Sequence, residues 1–252
     1  MELWSSTHAI TLLPALAVMI LIGVVLRKTI GKKEHRIRMI PFQIFACIIF
    51  ALEVGKQVVS LRQGYDLYHL PFHFCSLFIF ALPLMSFYRG KHKNTVYAVT
   101  SGICSALSLL LLIYPCLIYS ADNIRLFFKD FLSLHTVAFH NIVLFEFVLI
   151  VALDLHTPAP KGEAKATALF TMGFTAVAAT MAQLLKTNYA NFYRCNIPFF
   201  ESLRAQVQTV LGATLTQIIY VLIVAALTVG FTVGAYWFYR LIKHITAKKS
   251  TC

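Results

Sequence analysis

Seven stretches of the chain run almost unbroken through apolar residues, at 7–26, 39–61, 70–87, 95–118, 132–153, 166–185 and 210–239, with clusters of charge between them. Each lies near the roughly 20 residues that a helix needs to cross a bilayer core. The third is short and the seventh long, so the third is expected to begin in the interface and the seventh to tilt. Pro83, Pro115, Gly173, Gly230 and Gly234 fall inside these runs. Within a membrane, neighbouring helices satisfy the backbone groups such residues free. The pattern predicts an all-α, polytopic membrane protein: a bundle of seven transmembrane helices forming one membrane domain over 1–252.

Composition agrees, with 59% hydrophobic and 13% charged residues and a mean hydropathy of +0.74, well off the soluble average. The net charge of +12 would suit nucleic acid, but the charges sit in short clusters between apolar runs, which argues against that partner. Fifteen of the 22 Lys and Arg residues lie in 27–38, 88–94, 156–165 and the tail from Arg240; six lie in the intervening loops and Lys56 lies inside a span. The positive-inside rule then predicts an external N-terminus and a cytoplasmic C-terminus, without saying which membrane is crossed. The opening "MELWSSTHA" lacks a basic n-region, so the first span is expected to be retained. Six cysteines, at 47, 75, 104, 116, 195 and 252, show no CxxC and no zinc-like spacing. Cys47, Cys104 and Cys116 read as packing residues, and Cys195 alone falls in a clear loop.

With that orientation, polar side chains gather in the outer half of the spans. Glu53, Lys56 and Gln57 close span two; His73 and Cys75 open span three; His135, His140 and Asn141 begin span five. Asn188 and Tyr189 follow span six, Gln206, Gln208, Thr214 and Gln217 approach span seven, and His8 starts span one. At ~1.5 Å per residue, Cys75 and His140 both lie about 7–13 Å below the outer boundary. The inner halves are expected to be almost purely apolar, apart from Glu146 near mid-depth and Gln183, which disfavours a channel or transporter. Glu53 and Lys56, three apart, also read as a self-neutralising pair. Ionisable groups in lipid are nonetheless functional candidates by default.

A thiol and an imidazole at one depth permit nucleophilic acyl transfer, with Cys75 attacking an ester and His140 taking the proton. Lys56, Asn188 or Tyr189 are candidates to receive the oxyanion. A zinc site from His69, His73 and His140 is the competing chemistry. Pro71 interrupts the His69–His73 spacing, and the last span holds no histidine, unlike seven-span zinc hydrolases with a late H-x3-H pair. No cofactor and no metal are assigned.

At "ALEVGKQVV", "LYHLPFHFCSL" and "FLSLHTVAFHNIVLF" the chain resembles the YwaF-type integral membrane family, whose animal branch is transmembrane protein 164. The bacterial branch's L-P-L-H-L-C is similar to Leu70–Cys75, its span-five histidine to His140, its N-Y pair to Asn188-Tyr189, and its opening S-x-x-H to Ser5–His8. The animal branch's E-V-G-K resembles Glu53–Lys56. The resemblance implies a cysteine-centred acyltransferase moving a fatty acyl chain from phosphatidylcholine to a lysophospholipid. It departs at one point: the animal branch's cysteine directly precedes the motif histidine, where this chain has Phe72. Cys75, three residues on, would stand about 300° further around a helix. The Trp- and Pro-rich entry to the bacterial last span is also missing. The expectation is a phospholipid acyltransferase or transacylase with Cys75 and His140 catalytic and Glu53, Lys56, Gln57, His73, Asn188 and Tyr189 binding substrate. The alternatives are a non-catalytic seven-helix lipid or ligand binder and a lipid ester hydrolase. A rhodopsin-like receptor lacks support, since neither D-R-Y after span three nor N-P-x-x-Y in span seven is present.

Overall fold

The computed structural model describes residues 3–158 and 162–248. Lys161 and Lys249, counted above among the basic loops, and Cys252 lie outside the described residues. The helices are α1 (Ser6–Thr29), α2 (His35–Arg62), α3 (Leu77–Phe87), α4 (Lys93–Ile113), α5 (Pro115–Ile118), α6 (Ala121–Arg125), α7 (Phe131–Ala152), α8 (Glu163–Leu185), α9 (Pro198–Leu211) and α10 (Ala213–Lys248). Seven segments among the described residues are long and apolar enough to cross a membrane. Their outward faces carry Ile20, Leu21, Phe50, Leu184, Leu222 and Leu227, all exposed. A protein that presents such a belt has hydrocarbon as its solvent there.

Helix α4 is the hub, packing against α3, α7, α8 and α10. Its residues explain why: Thr100, Ser101, Gly102, Cys104, Ser105, Ala106 and Ser108 are all small and all buried. Small side chains let membrane helices approach closely where lipid offers no hydrophobic drive to association. Hydrogen bonds tie the hub to its neighbours, from Thr100 Oγ1 to the Ala81 carbonyl at 3.1 Å and from Cys104 Sγ to the Val143 carbonyl at 3.2 Å. Helix α1 packs on α7, with Gly23 against Val148 and Ala152.

Three expected spans differ in outline. The third is composite: only Leu77–Phe87 is α-helical, preceded by 3₁₀ turns at Leu67–His69 and Phe74–Ser76. The fourth ends at Ile113, because Pro115 cannot continue the ladder, and a separate turn follows. The seventh starts at Ala213, after Gly212 (φ 77°) ends α9, and extends to Lys248. Gln206 and Gln208 therefore belong to a separate amphipathic helix that exposes Phe199, Phe200, Leu203 and Val210. Arg204 of α9 bonds the Gln217 side chain of α10 and the Glu201 carboxylate, and it holds that carboxyl below its ordinary range.

Beyond the expected apolar inner halves lies a second polar layer, drawn mostly from residues outside the expected spans. At the end of the bundle where α1 stops, His156 lies 3.0 Å from Glu163, whose carboxylate accepts from Tyr236 Oη at 2.5 Å. Tyr97 Oη and His35 Nε2 pair at 3.0 Å, and Lys243 pairs with Asp154. Tyr239 Oη donates to the His156 carbonyl at 3.4 Å. Three of these groups, Tyr97, Tyr236 and Tyr239, read as apolar in the sequence, and their hydroxyls were not legible as a layer. Gln183 is misplaced by that expectation. It sits in the last turn of α8, where its amide donates to the Phe192 carbonyl at 2.9 Å, near the end where α1 begins. Glu146 is completely buried in α7, and neither carboxyl oxygen has a hydrogen-bond partner among the described residues.

Candidate functional site

The approach to α3 is built by three local rules. Gly64 (φ 93°) and Tyr65 (φ 40°) turn left-handed after α2, and the Tyr65 amide donates to the Ser60 carbonyl at 2.8 Å, a Schellman closure. Asp66 then caps the Leu67–His69 turn. Pro71 bars its predecessor from helix, and Leu70 and His73 are extended, with ψ 145° and 153°. Cys75 therefore stands on a 3₁₀ turn, and the helical offset expected between Phe72 and Cys75 does not hold.

Irregular backbone survives at membrane depth only where its polar groups find partners. Here side chains provide them in sequence: the carbonyls of Leu67, Tyr68 and His69 accept from Tyr189 Oη at 2.5 Å, His73 Nε2 at 2.8 Å and Gln57 Nε2 at 2.9 Å. Gln57 also donates to Glu53 at 2.7 Å and accepts from Tyr65 Oη at 2.7 Å. Ser60 Oγ meets His69 Nδ1 at 2.7 Å.

Beneath this strap lies a cavity of about 290 Å³. Its lining mixes polar groups, Glu53, Lys56, His69, His73, Cys75, His135, His140, Asn188, Asn191 and Asn196, with the apolar side chains of Ile79, Leu107, Leu110, Leu117, Ile118 and Phe139. Glu53 is 8% exposed, with Lys56 Nζ 2.8 Å and His135 Nε2 3.4 Å from the same oxygen. The distances are those of an ion pair, although neither contact is aligned as a hydrogen bond to that oxygen. His140 Nδ1 lies 2.7 Å from the Thr136 carbonyl. A carbonyl only accepts, so Nδ1 carries the proton and Nε2 keeps its lone pair. The same reasoning puts the proton of neutral His73 on Nε2.

Of the eight expected site residues, Glu53, Lys56, His73, Cys75, His140 and Asn188 line one cavity. Gln57 and Tyr189 do not; they hold the strap above it. Asn188 is partly committed, accepting from the Tyr193 and Arg194 amides and donating to Asn196. Cys75 and His140 are not hydrogen-bonded to each other among the described contacts. His69, His73 and His140 line this cavity, but among the described residues no three His, Cys, Asp or Glu side chains are placed to hold a metal ion. The sequence did not single out Tyr68, Asn191 or Asn196. Asn191 adopts φ 65°, and its buried Oδ1 has no hydrogen-bond partner. Its left-handed tolerance was the one available signal. His8 lies in the first turn of α1, as read, and is buried there, with Nε2 on the Tyr119 carbonyl at 2.9 Å and Nδ1 on Ser5 Oγ at 2.6 Å.

Seven candidate membrane spans among the described residues define an integral multi-pass membrane protein, with a hollow of mixed lining at one end. The chain belongs to the TMEM164 family, which it matches over residues 3–231. This is the family the motifs at Glu53–Lys56, Leu70–Cys75 and His140 resemble. No curated protein and no solved structure matches the chain.

Proposed function

We propose that the chain is a phospholipid acyltransferase or transacylase, with Cys75 as nucleophile, His140 as base and a cavity facing the outer leaflet. The observation that carries this reading is a thiol and an imidazole with a free Nε2 on one cavity whose lining is both polar and apolar. Nε2 accepts the Sγ proton as the thiolate attacks a phospholipid ester carbonyl. The tetrahedral oxyanion collapses, the ester C–O bond breaks, and the lysophospholipid leaves with the proton from His140. An acceptor lysophospholipid hydroxyl then gives its proton to Nε2 and attacks the thioester, which frees Cys75. Water in the acceptor's place makes the same site a lipid ester hydrolase.

Lys56 is the cation placed for the headgroup phosphate or the oxyanion, with Glu53 fixing its position. His73 and Asn188 shape the polar part of the lining. Tyr189 leaves the oxyanion role because its hydroxyl is committed to the Leu67 carbonyl. The outward orientation rests on the distribution of Lys and Arg.

The missing Cys75–His140 hydrogen bond supports a second reading, a lipid or ligand binder without catalysis. In the acyl-transfer reading, that contact tightens when substrate enters. Intact-protein mass spectrometry with labelled phosphatidylcholine separates the two. Acyl transfer predicts a lipid-derived mass on wild type and none on Cys75→Ala, and His140→Ala should lose on the order of 10²–10⁴-fold in turnover. Undiminished turnover in Cys75→Ala removes the thiol from the reaction and leaves hydrolysis. Retained lipid with neither adduct nor turnover establishes the binder.

A further inference from the structure

At the end of the bundle opposite the cavity, the last turns of α1 and α10 and the chain after α7 enclose a second hollow of about 280 Å³. Arg27, Arg240 and Lys243 line it, with His244 beside them. Among the described lining residues Asp154 is the single acid, and it is already engaged. Its carboxylate pairs with Lys243, and its backbone carbonyl accepts from Arg38 at 2.9 Å. No ion pair among the described residues engages Arg27 or Arg240.

Loop cations are ordinary at one face of a membrane protein; a concave site that gathers three around one spent carboxylate is not. Like charges held together at the mouth of a low-dielectric bundle repel, and an anion between them removes that cost. The Arg240 guanidinium lies over the Trp237 ring, 4.4 Å from its centroid, which fixes its direction. Tryptophan favours the membrane–water boundary, and Leu241 and Ile245 beside this face are about half exposed, at 55% and 49%. The hollow thus opens at headgroup level, with hydrocarbon alongside. Two planar guanidinium groups match the oxygens of a phosphate.

We infer that this hollow binds the phosphate of an anionic lipid headgroup, clamped by Arg27 and Arg240, with Lys243 restrained by Asp154. Basic pockets between membrane helices serve that chemistry elsewhere. The site is separate from the acyl-transfer cavity and does not depend on that reading.

Native mass spectrometry of the detergent-purified full chain tests it, with dioctanoyl phosphatidic acid, dioctanoyl phosphatidylcholine and inorganic phosphate as probes. Wild type should retain one phosphatidic acid that depends on Arg27 and Arg240, whereas phosphatidylcholine held in the other cavity should be indifferent to both arginines. The R27Q/R240Q pair should weaken retention by at least about tenfold, as expected for losing charge-assisted bonds. D154N should strengthen it by releasing Lys243; Asp154 has φ 51°, a conformation that asparagine also tolerates. Equal retention of phosphatidic acid by wild type and R27Q/R240Q, or an equal loss of phosphatidylcholine in that pair, overturns the inference. A loss in D154N as large as that in the arginine pair also overturns it, because the effect is then structural. Inorganic phosphate displacing the lipid at equal concentration overturns the lipid source and assigns the site to free phosphate.

Discussion

Tyr189 shows how a residue near a site can matter without touching substrate. Its ring is fully buried against Phe72 and His73, and its hydroxyl holds the Leu67 carbonyl. Tyr189→Phe leaves the ring and strips one buried acceptor of its partner, at a cost of about 1–3 kcal/mol. The expected outcome is a lower Tm in detergent together with faster modification of Cys75 by a thiol reagent; an unchanged modification rate would remove Tyr189 from the strap. Residue types announced much of this site, because Glu, Lys, His and Cys inside apolar runs are costly wherever they occur. Their division of labour was not legible. Gln57 and Tyr189 read as substrate ligands, and only the path of the backbone before α3 shows that they serve carbonyls. Asn191 escaped notice because an asparagine in a loop has many ordinary uses.

Hydropathy marked all seven spans, since twenty apolar residues have few other fates. It missed the interruptions, where a local rule overrides the average: Pro71 delays α3, Pro115 stops α4, and Gly212 divides α9 from α10. It also missed which helix is central. That depends on the small residues of α4, and their effect appears only when neighbours close on them. A Cβ at Gly102 would stand 2.9 Å from Thr167 Cγ2 and 3.2 Å from Tyr236 Cβ, whereas one at Gly234 meets nothing within 4 Å. Gly102→Ala should therefore cost about 1–3 kcal/mol by overpacking. Gly234→Ala should gain up to about 1 kcal/mol from helix propensity. Thermal unfolding of the two variants side by side should move Tm in opposite directions; a shared direction would refute the close α4–α8–α10 contact.

Across the whole molecule, polarity is concentrated in two layers, and between them Ile49, Phe78, Leu82, Ile103 and Val143 are buried together with Glu146 and the small hydroxyls of α4. The layer holding Cys75 and His140 was readable from charged and imidazole side chains; the other was hidden in tyrosine hydroxyls and in a basic hollow formed by residues far apart in sequence. Orientation is testable at Cys195, which lies in the loop between α8 and α9 at the first layer. In sealed cells, a membrane-impermeant maleimide should label Cys195 from the non-cytoplasmic side and spare a cysteine placed at Lys33; the reverse pattern would invert the molecule. The short α3 adds a mechanical consequence. Its 11 residues span only about 16 Å, and Phe80, Leu84 and Phe87 face outward. The protein's apolar girdle is therefore uneven, lowest beside the strap. Lipids there must compress to match it, at a fraction of a kcal/mol per Å, and a compressed leaflet lowers the headgroup plane toward the cavity. In the acyl-transfer reading, membrane thickness then becomes a control on how readily an ester bond reaches Cys75, set by the host bilayer and independent of any ligand.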